Sequence, residues 1–299
     1  MSATEQLLPV DVVAAPPGGF AKAVGNVREL GLGGMIGLGG LLLLVVTSAI
    51  GRFLTDTPPT DVEAILQSPS LHHPLGTDFT GRDNLLLVVR GGWDMLELAA
   101  VAGVLMSVIA VAIGMLGAFS GGLVDRVTVR MTDLWLTIPR LVLLLVIASL
   151  FPFDSTFALA VLIAVFGWPY LARQVHAQAL SLRRREHVEA ARLLQLRTSH
   201  ILLRYLLPAM APFVVISTIT GMTAAIYQQV VLAFFGLVPL EDNWSVLFSV
   251  AYGQNAIYLP AAAWSLFTPV AAICFLQFCL VLTSRSLEGL FDPRLRSAR

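Results

Sequence analysis

The sequence predicts an all-α integral membrane protein with six spanning helices, and three observations point there. Of its 299 residues 57% are apolar and only 13% charged, where soluble domains carry about a quarter charged. Mean hydropathy is +0.80. Lysine and arginine are absent from 29 to 51, 91 to 125, 141 to 172 and 205 to 284, and a hydrocarbon core of about 30 Å is crossed by about 20 apolar helical residues. Apolar surface gathered into blocks of that length belongs in a bilayer, which excludes a soluble enzyme and a nucleic-acid binder. Nineteen basic and nineteen acidic residues cancel, so only the positions of charges inform about partners.

Taken in order, the first 30 residues hold Pro9, Pro16, Pro17, Gly18 and Gly19 without a sustained period and read as a flexible tail. The run from Leu30 to Leu54 follows no cationic start, exceeds the apolar region of a signal peptide and precedes no small-x-small cleavage site. It is therefore expected to stay as the first span. Candidate spans are 31 to 53, 95 to 120, 133 to 151, 157 to 176, 209 to 233 and 260 to 283. An even number puts both termini on one side. If that side is cytoplasmic, sixteen basic residues lie inside, Arg140 among them, and only Arg52, Arg82 and Arg90 outside, the asymmetry of the positive-inside rule. Cys274 and Cys279, five apart in the last block, match no metal or redox spacing and read as buried apolar cysteines.

Two spans display a patterned face. In the second, Gly103, Ser107, Ala110, Gly114, Gly117 and Gly121 fall within about 80° of one another, a stripe of small residues along which helix backbones approach closely. In the fifth, Ser217, Thr218, Thr220, Gly221, Ala224, Ala225, Gln228 and Gln229 share one half of the circumference. Val215, Ile219, Met222, Ile226 and Val230 occupy the other, which is expected to meet lipid. The polar half serves either interhelical hydrogen bonding or the wall of a watery passage. On the second reading Ser217, Thr220, Ala224 and Gln228 are the candidate translocation path.

The polar stretch from Gln174 to Pro208 reads QVHAQALSLRRREHVEAARLLQLRTSHILLRYLLP. Arg173 to Arg204, both included, count seven arginines, yet Ala190, Leu193, Leu194, Ile201, Leu202, Leu206 and Leu207 keep helical spacing among them. That predicts short amphipathic helices outside the bilayer, lying on anionic lipid or docking to a partner. The loop resembles that of ABC-importer permeases, in which Glu-Ala-Ala is followed after three residues by Gly and after nine more by Ile-x-Leu-Pro. Glu189, Ala190, Ala191, Leu207 and Pro208 match in ungapped register, while Gln195 replaces the glycine and Tyr205 the isoleucine.

Further segments resemble the C-type permease subunit of dipeptide and oligopeptide importers over most of the chain. They are HPLGTDFTGRD from His73 to Asp83 with Gly91; Gly121, Gly122, Asp125, Met131, Asp133 and Pro139; Trp168, Pro169, Ala172 and Arg173; Leu232, Phe234, Gly236 and Leu237; and the terminal Asp292, Pro293, Arg294 and Leu295. Gln229, where the family often has glutamate, and Ser284 to Gly289 depart from the pattern.

The resemblance implies the type I ABC importer transmembrane-domain fold with cytoplasmic coupling helices. The permease domain would run from 31 to 284, with its coupling loop at about 177 to 208, between cytoplasmic tails at 1 to 30 and 285 to 299. It further implies a bacterial inner-membrane subunit forming half of a pore for peptides delivered by a solute-binding protein, with both termini cytoplasmic. Its companions would be a second permease and two ATP-binding subunits. Related systems import nickel chelates or haem. The residues that would couple to an ATPase are Glu189, Ala190, Ala191, Leu194, Gln195, Leu207 and Pro208. Because the chain lacks a Gly-x-x-x-x-Gly-Lys-Ser/Thr loop, ATP and Mg belong to partners and no cofactor is expected here.

Local expectations complete the reading. Glu189 can pair with Arg185 or Arg192 on its own helix, or with a partner's arginine. Glutamine avoids the left-handed region that glycine tolerates, so the first loop helix is expected to continue through Gln195 at negative φ. The turn should then fall near Arg197 to Ser199, where Thr198 or Ser199 can cap. A rival intramembrane hydrolase needs a nucleophile and base in the membrane. All five histidines fall in loops or at span ends, and Ser120 lacks a glycine two residues upstream. The adjacent His72 and His73 have no clear third metal ligand. A channel or secondary transporter would leave the loop match unexplained.

Overall fold

The computed structural model describes residues 31–151, 153–238 and 242–291, so both expected tails, apart from 285–291, lie outside the described residues. Nine helices are used below: α1 Gly31–Leu54, α2 Asn84–Ser120, α3 Gly122–Thr137, α4 Arg140–Leu150, α5 Thr156–Arg183, α6 Glu186–Leu193, α7 Leu207–Phe234, α8 Trp244–Gly253 and α9 Ala263–Phe291. Among the described residues five helices are long and apolar enough to cross a membrane, and the bent pair α3 and α4 passes the same test when taken together as one broken span.

α2 is the central post. Its 37 residues span about 55 Å, well beyond the hydrocarbon core, and it starts eleven residues before the expected boundary because Asp83 caps it, Oδ1 accepting from the amides of Leu85 and Leu86 at 2.8 and 3.1 Å. The small-residue stripe turns inward as expected: Gly103, Ser107, Ala110, Gly114 and Gly117 are all buried. A Cβ on Gly103 would come 2.5 Å from Met222 and 3.0 Å from the Thr218 carbonyl of α7. One on Gly114 would come 2.7 Å from the Ala172 carbonyl of α5.

The third crossing is not one helix. Pro139 has no amide to donate and drives the preceding residue extended, so Ile138 sits at φ −83°, ψ 126° and the two halves meet at 75°. α5 continues to Arg183, past the expected end. Arg183 turns back to donate to the Ala118 carbonyl at 2.8 Å, satisfying an orphan acceptor at the end of α2.

α1 leans on α9 and α2 through glycines. A side chain at Gly37 would strike the backbone of Thr283 and Cys279, and one at Gly51 that of Val89. The rest of α1 is largely exposed, with Leu42, Leu43 and Val46 facing outward, as lipid contact requires. α8 is absent from the sequence reading; at ten residues it is too short to cross and packs on α2, α7 and α9. Cys279 is buried as expected, but Cys274 is exposed.

Candidate coupling surface and translocation cavity

The loop between the fourth and fifth spans folds as α6, a turn, a short helix Thr198–Ile201, and a π-helical turn Leu202–Leu206 that runs into α7. Val188 and Ala191 on α6 join Ile201, Leu202, Leu206 and Met210 in the main core cluster. The opposite face of α6 is bare: Glu189 and Ala190 are exposed, as are Leu193 and Leu194, the latter by 73%. Leu207 is half-buried and Pro208 exposed. The π turn has a cause at Pro208, which cannot donate to the Arg204 carbonyl and would clash with it in an α-helix; a wider turn removes the conflict.

Two local expectations fail here. Gln195 has φ 54° and α6 ends at Leu193, so the family's turn persists without its glycine. The Gln195 amide donates to the Arg192 carbonyl at 2.9 Å and the Leu196 amide to the Ala191 carbonyl at 3.3 Å, the two bonds of a Schellman cap. They offset a left-handed cost of about 1 to 2 kcal/mol. Neither Thr198 nor Ser199 caps, the N-cap position being Arg197 without a side-chain bond. Among the described residues no ion pair joins Glu189 to Arg185 or Arg192; Arg192 lies instead over the Phe119 ring at 5.2 Å.

The faces of α7 are also assigned differently from the sequence reading. None of Val215, Ile219, Met222, Ile226 and Val230 is exposed. Ile226 is buried with Met95, Trp244, Leu276 and Leu280, and Ile219, Met222 and Val230 pack against that cluster, so this half meets protein rather than lipid. Of the polar half, Ser217, Gly221, Ala225, Gln228 and Gln229 are buried while Thr220 is exposed. Thr220, Gly221 and Ala224 border a cavity of about 420 Å³. Its other walls come from the α3–α4 break, from α5 and from Met106 of α2, and include Trp135, Arg140, Phe166 and Tyr170. Ser217 does not line it. Gln228 meets it through Arg140: a guanidinium can only donate, so the Gln228 amide is oriented with its oxygen toward it and accepts from Nε at 2.8 Å.

Residues 99–297 match the family described as binding-protein-dependent transport system inner membrane component. The chain belongs to that family. A protein of Brucella abortus named as a peptide permease is 31% identical over 240 residues, 79% of this chain and 78% of the relative. The oligopeptide transport system permease protein OppC of Mycobacterium tuberculosis is 29% identical over 263 residues, 87% and 89% of the two chains. OppC of Bacillus subtilis is 28% identical over 268 residues, 88% and 86%. The chain is thus a multi-pass membrane component with the all-α permease fold.

Several residues that carried the resemblance prove to be joints of this inner membrane component. Asp78 accepts from the Thr80 and Arg82 amides, both at 2.8 Å, and from Arg82 Nε at 3.0 Å. His73 pairs with Asp83 at 2.9 Å, which gives that histidine a structural partner; among the described residues no metal-binding group forms. Asp242 stands 3.7 Å from Arg82 and 3.6 Å from Arg90. Gly91 is required where α8 is seated, since any Cβ there would collide with the Asp242 carbonyl. At the other end Asp125 meets His176 at 2.6 Å and Asp133 meets Arg173 at 3.0 Å, so two pairs lock α3 to α5. Gly236, at φ 71°, ends α7 with Schellman bonds at 2.9 Å from Gly236 to Ala233 and from Leu237 to Leu232. What sequence reasoning missed is Arg140, counted with the cytoplasmic charges because a break inside a span has no hydropathy signal.

Proposed function

We propose that this chain is a permease subunit of an ATP-driven importer and forms half of a pore for peptides handed over by a solute-binding protein. The peptide cargo is supported by the relatives' names, peptide permease and OppC. The coupling role is carried by one observation: α6 presents Glu189, Ala190, Leu193 and Leu194 to solvent while Val188 and Ala191 anchor it in the bundle core. A helix bare on one face and rooted on the other transmits a push. Two ATPases on the cytoplasmic side would receive the bare faces of this subunit and of a second permease. Ala190 allows close approach, and Glu189 offers an acceptor for a partner's arginine. The Schellman turn at Gln195 and the π turn before Pro208 join α6 stiffly to α7, so nucleotide-driven closure would select between two arrangements of the spans. Ser217, Thr220, Ala224 and Gln228 then belong to the moving wall, Thr220 and Ala224 directly at the cavity.

The test is Ala190→Arg, a bulky charge at the centre of the bare face. The variant should reach the membrane in normal amounts, co-purify with less than a tenth of the wild-type ATPase subunits and lose ATP-dependent peptide uptake. Normal association together with normal uptake would sink the docking assignment. Co-purification of the wild-type chain without any ATPase would sink the importer reading.

A further inference from the structure

Arg140 opens α4 immediately after the 75° break, between the two halves of the third crossing. A guanidinium there keeps its proton, and a charge at membrane depth is costly unless it faces a partner or a water-filled passage. Among the described residues no carboxylate forms an ion pair with it. Its contact is the neutral amide oxygen of Gln228, a side chain only 5% exposed. That contact orients the guanidinium without neutralising it. The surrounding cavity is otherwise largely apolar and aromatic, with Trp135, Phe166 and Tyr170 in its walls. A volume of about 420 Å³ falls within the range of about 300 to 1,000 Å³ usual for small-molecule sites. The chamber thus offers one fixed positive charge among apolar walls, a layout suited to a small molecule with an apolar body and one anionic end.

We propose that Arg140 is a cargo-recognition residue of the translocation path, receiving a carboxylate of the passing peptide, with Gln228 holding the guanidinium toward the cavity. This rests on the peptide reading given above. A guanidinium matches a carboxylate bidentately, which a lysine cannot reproduce in full. Gln228 competes for the same donors, so the contact is transient, as passage through a pore requires.

The experiment uses the complete transporter in proteoliposomes with its solute-binding protein, and compares uptake of trialanine with that of trialanine amide. Arg140→Gln should lower uptake of trialanine at least tenfold and that of the amide less than twofold, while Arg140→Lys should keep at least a third of the trialanine rate. Equal loss on both peptides, or no loss on either, overturns the proposal. Uptake of neither peptide by the wild type would instead bring down the peptide reading and this proposal with it. Arg140→Cys, in a background carrying Cys274→Ser and Cys279→Ala, supplies a readout independent of how the amide is delivered. A cationic ethylammonium methanethiosulfonate should restore trialanine uptake and an anionic sulfonatoethyl reagent should not; recovery with both or with neither overturns the proposal.

Discussion

At the scale of single residues, Gln195 shows how propensity misplaces a turn. A Cβ cost of about 1 to 2 kcal/mol argued for moving the bend to Arg197, yet the bond pattern of the cap at Ala191 and Arg192 outweighs it. Gln195→Gly should therefore raise the stability of the purified chain by about 0.5 to 1 kcal/mol, since glycine gives back part of the gain as backbone entropy. Thermal unfolding in detergent measures it, and a fall in midpoint would contradict the strain. Gln229 makes the opposite case. It is fully buried and neither polar atom of its amide has a partner, a cost of about 1 to 3 kcal/mol. Gln229→Met, close in volume, should unfold at a higher temperature than wild type; a lower midpoint would mean that the amide has a use in the assembled transporter or finds a partner.

At the scale of elements, α7 separates what periodicity reveals from what it cannot. A polar and an apolar half were legible because 100° per residue places Ser217, Gly221, Ala224 and Gln228 near one another. Which half faces outward was not, since in a bilayer an apolar face is equally content against lipid or another helix. The deciding contact is the small surface of α2 at Gly103, which receives Met222. A water-soluble thiol reagent should consequently modify cysteines at 220 and 224 several-fold faster than those at 217, 219, 226 and 228. Equal rates across the set would leave α7 without a wet edge. The same ranking distinguishes a passage wall from a hydrogen-bonded helix contact, the two readings that the polar half alone left open.

At the scale of the whole molecule, the distribution of arginine predicts sidedness, and the fold offers accessible probes on each face. Ser181, near the end of α5, is exposed, and Leu71, in the segment between α1 and α2, is fully so. By contrast Asn243 is buried and would report nothing. In a chain with Cys274 replaced, an impermeant reagent added to intact cells should label a cysteine at 71 and spare one at 181. Labelling of 181 alone would invert the topology and place α6 on the wrong side for any ATPase.

The sequence by itself determined that the chain is helical and membrane-spanning and where five of its crossings lie, because hydrocarbon thickness sets a threshold of length and apolarity that local composition satisfies alone. The loop turn it misplaced, because the propensity of glutamine argued for Arg197 to Ser199 while the cap forms at Gln195. Only the tertiary structure decided which half of α7 meets protein, the seating of α8 on α2 at Gly91 and the position of Arg140 beside the cavity. Those depend on which small residue stands opposite which large one, and on a break at Pro139 that turns a loop charge into a wall charge: relations between segments distant in the chain, to which local composition is blind.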